Sequence, residues 1–208
     1  MDKKQAPVLI EAVIDRSGSM GHLAQDAIGG YNTWLDTQKH VPGEALLTLT
    51  LFDHEFITSE SKDIRQCLPL DGTTYVPRGQ TALNDAIGRA LGRLNAANPD
   101  KAILVILTDG HENASREFNT AKIKEMVQAA QARGWQVQYL SADINAFDHA
   151  AQYGVNTANT VQFTNDAVGL RAAYTATATM STDYRQGKGT ADLAIVGAHG
   201  PDQVSGEA

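Results

Sequence analysis

A single cysteine, Cys67, stands in the 208 residues, which excludes an internal disulfide and suits a reducing compartment. No apolar run approaches the ~20 residues that a bilayer-spanning helix needs. The first apolar stretch, residues 8–14, is short and broken by Glu11, which is a poor secretory signal. A soluble, cytoplasmic protein is therefore expected. Basic residues are in the minority, with 17 Lys and Arg against 24 Asp and Glu and a net charge of −7. That balance argues against nucleic acid or an anionic membrane surface as the main partner. Internal repeats and low-complexity tracts are also missing.

What is present is a regular alternation. With 42% hydrophobic residues the chain can bury a core of its own. Strand-like runs at 8–14, 45–52, 102–107 and 135–140 alternate with helical patterns at 20–40, 82–97 and 119–133. Residues 55–59 form a short partner for the second strand, residues 61–80 read as loop, 160–163 as an edge strand and 166–184 as a last helix rich in threonine. The continuous apolar run at 102–107 suits a parallel strand covered on both faces. The expectation is an α/β fold with a doubly wound, mostly parallel central sheet, helices on both faces and one short antiparallel edge strand. The domain is expected over residues 1–185. The Gly-rich tail, 186–208, is expected to be flexible or to dock through residues 193–196.

Asp15-Arg16-Ser17-Gly18-Ser19 follows the first strand directly and leads into the first helix. Open α/β sheets place ligands at the carboxyl ends of strands. One carboxylate and two hydroxyls at alternate positions of such a loop suit a hard divalent cation. Two further oxygen-bearing residues belong beside it if strands 8–14 and 102–107 are neighbours. Thr81 opens the second helix in Thr81-Ala82-Leu83-Asn84-Asp85-Ala86, and Asp109 ends the strongest strand in Thr108-Asp109-Gly110. Each has a plainer use: Ser17, Ser19 and Thr81 as helix caps, Asp109-Gly110 as a turn.

Taken together, the D-x-S-x-S loop, the threonine of T-x-L-x-D-A and the strand-terminal T-D-G resemble the von Willebrand factor type A domain over about residues 8 to 165. The resemblance implies a metal-ion-dependent adhesion site at Asp15, Ser17, Ser19, Thr81 and Asp109. The three hydroxyls would bind the metal directly and the aspartates often through water. Mg²⁺ is the implied cofactor, with Mn²⁺ or Ca²⁺ as alternatives. Two carboxylates roughly neutralise a dication, so a Mg²⁺ so held stays electrophilic and can take a partner's Asp or Glu in place of water. The implied partner is a protein, with an AAA+ ATPase or an intracellular assembly or stress complex as the analogy, and neither nucleic acid nor membrane.

Tyr75 and Arg78, in the loop before Thr81, and His111, Glu112 and Asn113, after Asp109, are the candidate partner-binding rim. Asp71, Thr73 and Thr74 share the first of these loops. Asp53-His54 reads as a hairpin turn, and His22, His40, His149 and His199 as surface residues. Enzyme readings are weaker. Residues 187–190 lack P-loop spacing, Gly18 to Gly21 lack dinucleotide spacing, and Cys67 has no histidine nearby. A Ser17 nucleophile with His111 as base, or a metal-dependent hydrolase drawing on His111 or Glu112, stays open. So does a secreted or surface adhesion protein. A noncatalytic interaction module is the expected function.

Overall fold

The computed structural model describes residues 6–188. Its strands are β1 (Val8–Asp15), β2 (Ala45–Phe52), β3 (Phe56–Thr58), β4 (Lys62–Asp63), β5 (Ala102–Thr108), β6 (Gln136–Ser141) and β7 (Thr160–Gln162). They form one sheet in the order β3-β2-β1-β5-β6-β7, with β4 also on β2. β1, β2, β5, β6 and β7 run parallel, and only β3 and β4 are antiparallel to their neighbour. The helices are α1 (Ala24–His40), α2 (Leu83–Ala97), α3 (Thr120–Ala132), α4 (Ala146–Gln152) and α5 (Ala167–Arg185). This is the doubly wound α/β sheet that the alternation predicts.

Strand period explains the two cores. On β1, Ile10, Ala12 and Ile14 face one core with Tyr31, Trp34 and Tyr174 of α1 and α5, while Val13 faces the other with Ile87 and Leu91 of α2. Glu11 points the same way as Val13 and is buried. It survives there because Arg93 of α2 donates to both its oxygens, at 3.0 and 2.7 Å. α1 and α5 approach closely at Gly30, where a Cβ would meet the Tyr174 ring at 2.1 Å. The threonines of α5 do not break it. Thr175, Thr177 and Thr179 donate their hydroxyls to carbonyls one turn back.

Three expectations need correction. The helix expected from residue 20 begins as a 3-10 turn, Gly18–Leu23, and becomes α-helical only at Ala24. Residues 61–80 are not all loop, since they contain β4 and the 3-10 turn Ile64–Gln66. α4 has no counterpart among the expected helices, because at seven residues it is too short to display a helical period. Residues 193–196 and His199 lie outside the described residues, as does nearly all of the expected tail.

Candidate metal centre

The chain leaves β1 for β2 on one side and later crosses to β5 on the other, so β1 and β5 lie side by side in register from Leu9–Ala102 to Ile14–Leu107. Their carboxyl ends form the topological switch point, the crevice where such sheets bind ligands. Asp15 and Asp109 emerge there together. Asp15 is fully buried, and neutral donors hold each of its oxygens. Its Oδ1 accepts from the Ser17 N–H at 2.6 Å and its Oδ2 from the Thr108 hydroxyl at 2.6 Å. Its backbone carbonyl accepts from the Tyr75 hydroxyl at 2.6 Å. The chain of oxygens continues outward: Ser17 Oγ lies 3.1 Å from Ser19 Oγ, which donates to Asp109 Oδ1 at 2.7 Å. Thr81 joins them at Gly110, where an added Cβ would sit 3.4 Å from Thr81 Oγ1 and 3.5 Å from Ser19 Oγ.

The plainer uses of these hydroxyls are not taken up. Ser17 occupies the N-cap of the first 3-10 turn without a side-chain capping bond, and the N-cap of α2 is Ala82, not Thr81. Ser17 and Thr81 are buried, whereas Ser19 is exposed and Asp109 half-buried, so the cluster opens to solvent on one side.

Burial raises the Asp15 carboxyl to about 6, with the Thr108 and Ser17 hydrogen bonds opposing the rise and the neighbouring Asp109 charge adding to it. Burial raises Asp109 as well, against the Ser19 hydrogen bond and the His22 imidazole. Two carboxylates crowded together among hydroxyls, with one side open, fit a hard dication that would relieve their repulsion.

Loops from three other elements brace this cluster. Arg16 N–H donates to the Phe52 carbonyl, the Arg16 carbonyl accepts from Arg78 N–H, and Gly18 N–H donates to the Gly79 carbonyl. Asp53, wholly buried at the end of β2, faces Arg16 Nη2 and Arg78 Nε, each at 3.1 Å. Its carbonyl accepts from Ala82 N–H, next to Thr81. Asp85 accepts from the N–H groups of Arg116, Glu117 and Phe118, tying α2 to the loop that follows Asp109.

No family model matches the chain, and no curated protein matches its sequence. Solved structures do. The PilB minor pilin from Streptococcus sanguinis is similar at TM-score 0.66 and 10% identity, over 86% of this chain and 62% of that one. The vWF domain of the type V pili tip protein from Porphyromonas gingivalis is similar at TM-score 0.63 and 13% identity, over 91% and 98%. A von Willebrand factor type A protein from Catenulispora acidiphila is similar at TM-score 0.59 and 14% identity, over 85% and 43%. This is the von Willebrand factor type A fold. The chain spans 62% of the pilin and 43% of the Catenulispora protein, so likeness to them reaches the domain and not the whole molecules.

Within this type A fold the expected rim is largely bracing. Tyr75 is not an exposed anchor: it is 2% exposed and supports Asp15 from beneath. Its ring is needed in the core, which a sequence reading of an irregular segment does not reveal. Glu112 does not face outward either. Its carboxylate accepts from the N–H groups of Asn84, Ala114 and Ser115 and from the Ser115 hydroxyl. Asn113 is exposed, but its Oδ1 accepts from Thr81 N–H, which fixes the Thr81 loop. Arg78 is about half exposed and pairs with Asp53 and Glu55. Asp71, Thr73 and Thr74 close a turn on themselves through Asp71 Oδ1. His22 reaches the Ser19 carbonyl and Asn165. His111 remains exposed, but it leans on Asp143 and His149, so His149 is not a simple surface residue.

Residues missed in the sequence include Arg16, Asp53 and Thr108. Asp53 gave one signal, since a carboxylate at the end of a buried strand needs a partner and Arg16 stands at the end of the adjacent one.

Proposed function

We propose that the chain is a noncatalytic protein-interaction module that takes a partner's Asp or Glu through a divalent cation. Asp15, Ser17, Ser19, Thr81 and Asp109 would hold the ion, with Mg²⁺ as the best match and Mn²⁺ or Ca²⁺ as alternatives. When bound, it supplies a Lewis-acidic position for the incoming carboxylate. The observation that carries this reading is the run from Asp15 through Ser17 and Ser19 to Asp109, opening to solvent at its outer end. Only two carboxylates take part, so a dication is roughly neutralised and keeps its appetite for one more anion.

The hydrolase reading is less well supported. It needs a free acid or base at the rim, yet Glu112 is consumed by four hydrogen bonds and His111 faces Asp143. Ser17 Oγ is paired with Ser19 rather than with an imidazole. A surface adhesion role is a second reading, favoured by the similarity to a minor pilin and to the vWF domain of a pili tip protein. A cytoplasmic role, with an AAA+ ATPase or an assembly complex as the partner class, is the first to test. No helix among the described residues is long and apolar enough to cross a membrane.

The test is capture of partners from a native lysate with wild type and with Asp15→Ala, each in Mg²⁺ and in EDTA. Partners that bind only wild type with Mg²⁺ are expected. The same partners in all four conditions would refute the proposal.

A further inference from the structure

A second group of ligand atoms, of different chemistry, sits at the same end of the sheet. His111 follows β5, Asp143 lies between β6 and α4, and His149 is on α4. One donor atom from each falls within 4.8 Å of the others, the one such trio found among the described residues. His111 Nε2 is 2.9 Å from Asp143 Oδ2, and His149 Nδ1 is 3.8 Å from the same oxygen. The two imidazoles meet edge to face with centroids 4.8 Å apart.

From this geometry we propose a second metal site, His111–Asp143–His149, selective for Zn²⁺ or a similar transition dication. Bonds of about 2.0–2.1 Å in tetrahedral array place donor atoms ~3.3 Å apart, close to the two spacings to Asp143. Two imidazole nitrogens and one carboxylate oxygen suit Zn²⁺ and its neighbours and disfavour Mg²⁺, which prefers oxygen. The carboxylate is already aimed. Asp143 Oδ1 accepts from Asn145 N–H at 2.7 Å, and its own N–H donates to Ser141 Oγ, which leaves Oδ2 for the imidazoles. Outer hydrogen bonds of this kind orient metal ligands. Asp143 and His149 are mostly shielded, at 11% and 18% side-chain exposure, while His111 is 69% exposed. The site can thus form by swinging one surface imidazole over a fixed pair. With three protein ligands, a fourth position is left for water or a partner's side chain.

This site does not depend on the Asp15 cluster, and the experiment separates the two. The full-length chain, in excess Mg²⁺, is titrated with Co²⁺ while visible d–d absorption is recorded, and Zn²⁺ is then added as competitor. Wild type and Asp15→Asn are expected to bind one Co²⁺ that Zn²⁺ displaces. His149→Ala and Asp143→Asn are expected to weaken it by about 100-fold or more, since even outer-shell losses cost 10–100-fold. Asp143→Asn retains an oxygen for Asn145 N–H, and circular dichroism checks that both variants fold. Absence of the band in folded wild type would overturn the site. So would a band that survives in both folded variants, or one lost with Asp15→Asn alone.

Discussion

Asp15→Asn is the most revealing single change, because it alters charge at the candidate centre with almost no change of shape. In the fold the Asp15 carboxyl is raised from its ordinary 3.8 to about 6, chiefly by burial. Between those two values the folded protein holds more protons than the unfolded chain, so metal-free stability falls as pH rises through this window. Across it the loss is about 3 kcal/mol for this fully buried group. Asparagine removes the charge and keeps the contacts. Its oxygen accepts from Ser17 N–H, and its amide donates to Thr108 Oγ1, whose hydrogen can turn to the Gly110 carbonyl 3.2 Å away. In EDTA near pH 7 the variant should therefore be more stable than wild type by up to about 3 kcal/mol, or about 6–12 °C in Tm for a domain of this size. The difference should vanish near pH 4. Excess Mg²⁺ should reverse the ranking, since only wild type gains stability from a bound ion. Differential scanning calorimetry in EDTA and in Mg²⁺, from about pH 4 to about pH 7, reads all three effects. A variant less stable than wild type in EDTA at pH 7 would refute the electrostatic reasoning, and a variant stabilised by Mg²⁺ as much as wild type would refute the ligand role.

Arg93→Ala strands Glu11, whose side chain is only 5% exposed. Urea unfolding at pH 7 should show a loss of about 2–3 kcal/mol, below the 3–5 typical of fully buried pairs because Arg93 itself is one-third exposed. Lowering the pH should shrink that loss, since burial already raises the Glu11 carboxyl and protonation removes the stranded charge. Gly79→Ala puts a side chain at φ +70° and drives its Cβ to 2.2 Å from the His54 ring. A cost of about 1–3 kcal/mol is expected in the same assay, with weaker Mg²⁺ stabilisation because the Gly79 carbonyl anchors Gly18 N–H. Gly72→Ala, with open space around it, is the neutral control.

Much of this was legible in the chain because its signals are local. The unbroken run of β5 shows a covered parallel strand, and D-x-S-x-S, Thr81 and T-D-G mark three strand and helix ends. Once β1 and β5 are neighbours, those ends must converge. The bracing was not legible, because its partners are distant in sequence and each residue looks ordinary alone. Tyr75 sits in an irregular stretch and resembles an exposed anchor until the fold shows its hydroxyl under Asp15. Glu112 reads as a charged loop residue, yet it accepts from Asn84 N–H in the first turn of α2, beside the Asp85 N–H that Ser115 Oγ takes. His111 and His149 lack any ligand spacing and meet only because β6 carries Asp143 up between them.

The same crossover that gathers the oxygens also explains why two unlike candidate ligand sets lie at one sheet end. β1 and β5 deliver Asp15 and Asp109 among hydroxyls, while β5 and β6 deliver His111 and Asp143 toward α4. His111 stands two residues beyond Asp109, yet its exposed imidazole pairs with Asp143. Donor chemistry keeps their preferences apart: the oxygen-only set favours a hard ion that retains water, and the imidazole set a softer one. The Gly110–Asn113 segment between them is pinned by Thr108, Thr81 and Asn84 through hydrogen bonds from both sides. With the segment between them pinned, Co²⁺ affinity should be the same in wild type and Asp15→Asn, and a non-additive result in a double-mutant comparison of Asp15→Asn with His149→Ala would refute that independence.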